Sequence, residues 1–115
     1  MSFARFASRI PSIAGSVNAT SAKTTGGMLY AVNGYNAAAT VRYLKLYNKA
    51  SAPTVGTDVP ELTFALPATS VFRYEIPNGY LFTVGIGYGI TTAAADNSTA
   101  APTAADIVGL NVVYG

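Results

Sequence analysis

A two-residue period constrains this sequence more than any other feature. Over residues 42–48, "RYLKLYN", Tyr43, Lys45 and Tyr47 share one side of an extended chain while Arg42, Leu44, Leu46 and Asn48 share the other, because successive strand side chains point to opposite faces. "ELTFAL" (61–66) repeats the pattern with Leu62, Phe64 and Leu66, and "SVFRYEI" (70–76) sets Phe72, Tyr74 and Ile76 against Val71, Arg73 and Glu75. "MLYAVN" (28–33) and "DIVGLNVVYG" (106–115) are further strand candidates, the latter with Val108, Leu110, Val112 and Tyr114 on one face and Ile107, Gly109, Asn111 and Val113 on the other. No window of helical length repeats apolar residues three and four apart, and only Ala93 to Ala95 and Ala104-Ala105 hint at short helix.

Prolines and glycines fall mostly between these runs. "KASAPTVGTDVP" (49–60) reads as a long loop, "PNGY" (77–80) as a turn and "AAADNSTAAPTAA" (93–105) as an exposed loop. The pattern predicts an all-β, antiparallel β-sandwich, jelly-roll-like, the common way to protect sheet edges in a small subunit. Six strands are legible, or seven or eight if pieces of the N-terminal segment join them.

Residues 1–27 stand apart. They are rich in Arg and Ser, contain no acid and close on "TTGG". They share this character with transit peptides but lack the apolar stretch of a secretory signal. The stronger reading is an extended N-terminal arm, 1–27, on a β-sandwich domain, 28–115, with Phe3, Arg5, Phe6, Arg9 and Ile10 as its assembly contacts.

Half of the residues are hydrophobic and only 10% are charged, against roughly a quarter in an average domain. A surface so poor in charge anticipates neighbours. The charges are also segregated: residues 1–57 carry Arg5, Arg9, Lys23, Arg42, Lys45 and Lys49 with no acid, and 58–115 carry Asp58, Glu61, Glu75, Asp96 and Asp106 against Arg73 alone. Such polarity favours head-to-tail or lattice contacts, or contact with a negatively charged partner, yet the charges are too sparse for a nucleic-acid footprint. No apolar run approaches the ~20 residues of a membrane helix.

"TVGIGYGITT" (83–92) is the one stretch that resembles a ligand-binding motif. A dinucleotide fingerprint needs G-x-G-x-x-G opening a helix, and a P-loop needs Lys-Ser or Lys-Thr after its last glycine. Here the spacing is two and two, so Gly85, Gly87 and Gly89 form a row on one strand face opposite Val84, Ile86, Tyr88 and Ile90. A bare row invites close packing, either by Tyr43 and Tyr47 or by another subunit. With neither His nor Cys in the chain, triads and thiol nucleophiles are excluded. Glu61 and Glu75 as a hydrolase pair, or loop acids as a calcium site, lack supporting spacing. The expectation is a non-enzyme without cofactor or metal.

The segments "RYLKLYNKASAPTVGTDVPELTFALP" (42–67) and "FTVGIGYGITTAAADNSTAAPTAADIVGLNVVYG" (82–115) resemble small virion proteins of tailed bacteriophages, most specifically at the "APTVGTDVP" loop. The resemblance implies a virion structural protein assembled in the bacterial host cytoplasm. Its most plausible form is a capsid decoration or cement protein that binds the major capsid protein or other virion proteins, as a dimeric or trimeric homo-oligomer. The alternatives are a tail, baseplate or fibre component, and a carbohydrate-binding module that stacks sugars on Tyr43 and Tyr47. The resemblance does not reach residues 1–25 and transfers no site residues; the residues themselves make the five of the arm with Tyr43, Tyr47, Gly85, Gly87 and Gly89 the expected assembly contacts, and neither nucleic acid nor membrane is expected as a partner.

Overall fold

The computed structural model describes residues 4–115. Its strands are β1 (Phe6–Ser12), β2 (Thr20–Lys23), β3 (Gly27–Asn36), β4 (Arg42–Tyr47), β5 (Leu62–Leu66), β6 (Ser70–Phe82), β7 (Ile86–Thr91) and β8 (Ile107–Tyr114), and the described residues contain no helix. They form two four-stranded antiparallel sheets, a front sheet ordered β1-β8-β3-β6 and a back sheet ordered β2-β7-β4-β5. The chain changes sheet at every connection except β4 to β5, which is the jelly-roll weave.

The core lies between the sheets and comes from alternate positions. Leu29, Val32, Leu110 and Val112 of the front sheet meet Leu44, Leu46, Leu66, Ile86, Tyr88 and Ile90 of the back sheet, all fully buried. Burying side chains of this kind contributes roughly 1.5–3 kcal/mol each, so the period-two runs drive the fold as well as marking it. Asn36 is one of the buried polar residues, and its partners explain it. Its amide donates to the Leu66 carbonyl at 2.9 Å and accepts from the Ala38 amide at 2.9 Å, pinning the crossover from β3 to β4.

Three sequence expectations change. The N-terminal segment is woven into both sheets: β1 pairs with β8 from Phe6↔Tyr114 to Ser12↔Val108, and β2 pairs with β7 through Thr20↔Tyr88 and Ser21↔Gly87. The boundary between 27 and 28 therefore does not divide arm from sandwich. β1 has little apolar signal because an edge strand over one core face needs few inward residues, here Ser8 and Ile10. Its larger role is to satisfy the free backbone edge of β8. Phe3 lies outside the described residues.

"PNGY" does not reverse the chain. Tyr80 pairs with Leu29 and Glu75 with Ala31 on the same neighbouring strand, so residues 76–79 bulge out of a continuous β6, with Gly79 at φ 79°. In β8, Gly109 at φ 62° inserts a bulge as well. It turns Ile107 inward beside Leu110 and Val112 and leaves Val108 outside with Val113, which strict alternation over 107–114 does not anticipate.

Candidate interaction surfaces

The glycine row is covered by the protein's own chain. Gly87 and Gly89 lie on β7 directly across from Tyr47 and Lys45 of β4, on the outer side of the back sheet. The β4–β5 connection folds back over this side. A Cβ on Gly85 would meet the Lys49 carbonyl at 2.6 Å and the Ala50 Cα at 2.7 Å; on Gly87, the Pro53 ring at 3.1 Å; on Gly89, a Val55 methyl at 2.7 Å. Thr99 of the β7–β8 connection packs against Gly56, adding a second loop to the cover. Neither a tyrosine ladder nor a second subunit occupies the row: Tyr47 is a lateral neighbour lying under the same loop.

The loop is held down by polar staples. Asp58 accepts from Lys49 Nζ at 2.6 Å and from the Thr54 amide at 2.7 Å, bonds that hold its carboxyl below the usual carboxylate range. Asn48 Oδ1 accepts from the Val84 and Gly85 amides at 2.8 and 3.3 Å and fixes the turn into β7.

Lys45 and Tyr47 are buried beneath this cover. Lys45 donates to the Ala95 carbonyl at 2.5 Å; burial lowers its pKa, and Asp96 partly offsets the shift. Tyr47 is 1% exposed and its hydroxyl has no partner. The stacking platform expected of Tyr43 and Tyr47 is therefore not available, since Tyr47 presents no ring face to solvent. Tyr88 is equally buried, but its hydroxyl shares a 2.7 Å hydrogen bond with Ser8 of β1, tying the two sheets together.

These two tyrosines carry a pH prediction. Burial raises both pKa values, for Tyr47 with help from Asp58 and Asp96. An unfolded tyrosine ionises near 10, so the folded protein holds these protons to higher pH than the unfolded chain. Their contribution to stability is full below about pH 10 and is lost as pH rises through the folded values. Tyr47→Phe, which removes an orphan hydroxyl, is expected to stabilise by roughly 1 kcal/mol, and Tyr88→Phe, which breaks the Ser8 bond, to destabilise by about as much. Denaturant melts at neutral pH and a tyrosinate absorbance titration check both. An early-titrating Tyr47 would contradict the burial.

Two ion pairs link the segregated charges within the fold. Arg42 meets Asp106 at 2.9 Å, and Lys49 meets Asp58 at 2.6 Å, each joining the basic half of the sequence to the acidic half. Arg5 lies 4.0 Å over the Tyr30 ring. Glu61 accepts from the Tyr80 hydroxyl and Glu75 pairs with Arg73, so each of the two carboxylates weighed as a pair has its own structural partner. Among the described residues there is no pocket and no grouping of three or more potential metal-ligating side chains.

Among the described residues, the front sheet's outer face differs from the β7–β4 part of the back sheet's in that its outward side chains are half-buried or exposed rather than buried as Lys45 and Tyr47 are. Its register sets out cross-strand rows Ala7–Val113–Ala31–Glu75, then Arg9–Asn111–Asn33–Arg73, then Val108–Tyr35–Val71, with Met28 beside Leu81 toward one end. Val71 is 76% exposed and Leu81 60%. Of the expected arm contacts, Arg9 projects from this face and Phe6 is 57% exposed with its ring 5.9 Å from that of Tyr114. Ile10 instead turns inward opposite Leu110 and packs on the core. The structure therefore separates the expected contacts, with Tyr47 and the glycines under a loop of the back sheet and the β1 residues at an edge of the front sheet. Ala31, Asn33, Tyr35, Val108, Asn111 and Val113 went unnoticed as a surface. Their signal was weak: outward strand positions carrying small, apolar or amide side chains where charge is usual. Compared with known proteins, the chain matches no family model, no curated protein and no solved structure.

Proposed function

We propose that the protein is a structural subunit of a tailed-bacteriophage virion, a capsid decoration or cement protein that acts by protein–protein contact. The observation that carries the reading is the outer face of the front sheet, where the half-buried or exposed apolar residues Val71, Val108, Val113, Tyr35 and Ala31 flank two asparagines. A sheet face left to water usually carries polar side chains at its outward positions. On the back sheet, by contrast, the chain's own loops cover the outward side of β7 and the neighbouring Lys45 and Tyr47 of β4. The likeness of residues 42–67 and 82–115 to small phage virion proteins supplies the setting. A jelly-roll body with an apolar stretch on one sheet face suits a subunit that derives binding energy from buried area.

Quantitative mass spectrometry of purified virions tests this reading. Hundreds of copies per particle are expected for a capsid lattice component. Six or twelve would move the protein to the tail or neck, and its absence from particles would defeat the proposal.

A further inference from the structure

We infer that Asn78 is a site of spontaneous covalent modification, converting in the folded protein to isoaspartate and aspartate through a cyclic imide formed with Gly79, while the chemically equivalent Asn33-Gly34 pair is protected. The inference is independent of the proposed function and rests on where the fold places two identical dipeptides. Asn33 and Asn78 are the asparagines followed by glycine. A following glycine matters because it has no Cβ to obstruct its own backbone nitrogen as that nitrogen approaches the asparagine amide, and its backbone is the least restricted.

The structure separates the two pairs. Asn78 is exposed and lies in the 76–79 bulge, none of whose residues has a partner in the β3–β6 register. β6 is an edge strand, so no ladder holds the segment from its other side. The nearest atoms that a Cβ on Gly79 would meet belong to the side chains of Met28 and Tyr30, not to a fixed backbone. Such a segment opens locally at little cost. Asn33 and Gly34 sit instead on β3, a central strand, where Asn33 pairs with Arg73 on one side and Asn111 on the other and Gly34 pairs with Phe72. Asn33 Oδ1 also accepts from Asn111 Nδ2 at 2.9 Å, which holds the side chain on β8. Turning the main chain here requires parting β3 from both neighbours, an opening close to global unfolding. Asn97 is exposed and followed by Ser98, but the Ser98 nitrogen that would attack donates to the Ala95 carbonyl at 3.0 Å.

The chemistry is a closed exchange with water. The Gly79 backbone nitrogen gives up its proton and bonds to Asn78 Cγ; the Cγ–Nδ2 bond breaks and ammonia leaves. Water then opens the five-membered ring at either carbonyl. Opening at Cγ yields aspartate, and opening at the main-chain carbonyl yields isoaspartate. An amide and a water become a carboxylic acid and ammonia, with no change of oxidation state, and the formal net charge of +2 falls by one. Because residues 76–79 lie outside the register, neither product breaks a strand pair.

Incubation of the folded full chain in mildly alkaline buffer made with heavy-oxygen water, followed by digestion in ordinary water and peptide mass spectrometry, tests the inference. The label then marks only conversions that occurred during the incubation. The expected result is labelled isoaspartate and aspartate at position 78, forming at least about tenfold faster than conversion at Asn33 or Asn97. In the urea-unfolded chain Asn33 is expected to convert nearly as fast as Asn78, since both precede glycine. Asn78→Gln, at an exposed position, is expected to keep the fold and to remove the more acidic species from the ion-exchange profile. An Asn78 that stays intact in the folded chain, a folded Asn33 or Asn97 that converts as fast, or a product that is aspartate without isoaspartate overturns the inference.

Discussion

Deletion of residues 2–22 is expected to unfold the protein. The segment includes β1 and most of β2, so its loss strips one edge strand from each sheet and frees the backbone edges of β8 and β7. It also removes Ile13, 2% exposed, together with Ile10 and Ala22, which pack on the core. Truncating a single buried isoleucine costs about 2–5 kcal/mol. Two such losses, with the Ser8–Tyr88 bond and two unpaired strand edges, consume the ~5–15 kcal/mol by which a domain of this size is stable. Circular dichroism and a one-dimensional NMR spectrum would register the collapse. A detachable arm predicts the opposite, a folded remainder with dispersed resonances, and that result would overturn the strand assignment of residues 6–23. Removing residues 2–5 alone is expected to leave the fold intact.

Gly85→Ala is expected to destabilise by roughly 2–4 kcal/mol, more than the same change at Gly87 or Gly89. The added methyl at 85 would lie 2.6 Å from the Lys49 carbonyl, 2.7 Å from the Ala50 Cα and 2.8 Å from the Lys23 carbonyl. All three are backbone atoms, held by neighbouring strands and by Asn48, so none can rotate away. At 89 the tightest neighbour is a methyl of Val55, and a change of rotamer or a small loop shift relieves it for about 1 kcal/mol. At 87 the Pro53 ring at 3.1 Å and the Ser51 carbonyl at 3.2 Å need to give only slightly. Urea melts of the three alanine variants provide the ranking. A Gly85→Ala protein as stable as its parent would mean that the β4–β5 loop does not rest on the sheet.

Much of the architecture was legible because alternation is a local property. Leu44 and Leu46 are fully buried, and Phe72, Tyr74 and Ile76 face the core where the period of two placed them. The absence of a helical repeat, with turn residues between the runs, was enough to anticipate an antiparallel sandwich. The legible part ended where a strand's reason for existing was not its own side chains. β1 and β2 form because β8 and β7 offer unpaired edges, and little in residues 6–23 announces it. The bulges at Gly79 and Gly109 failed for a related reason: a glycine at positive φ within a strand can end it, bend it or shift its parity, and only the register of the neighbouring strand selects among these.

The candidate surfaces divide in the same way. From the spacing of Gly85, Gly87 and Gly89 it followed that something lies close against one face of β7, since three missing side chains in a row leave a trough that must be filled. What fills it depends on where a loop beginning after Tyr47 lands, and that is set by Asp58 bonding Lys49 and Thr54 and by Pro53 and Val55 seating on the glycines. On the front sheet Asn33 and Asn111 stand side by side on the two central strands. A sequence determines which residues share a face only along an unbroken stretch of strand, where adjacent side chains alternate. Which part of a face a loop covers was decided by tertiary structure alone, because it depends on contacts between segments far apart in the chain.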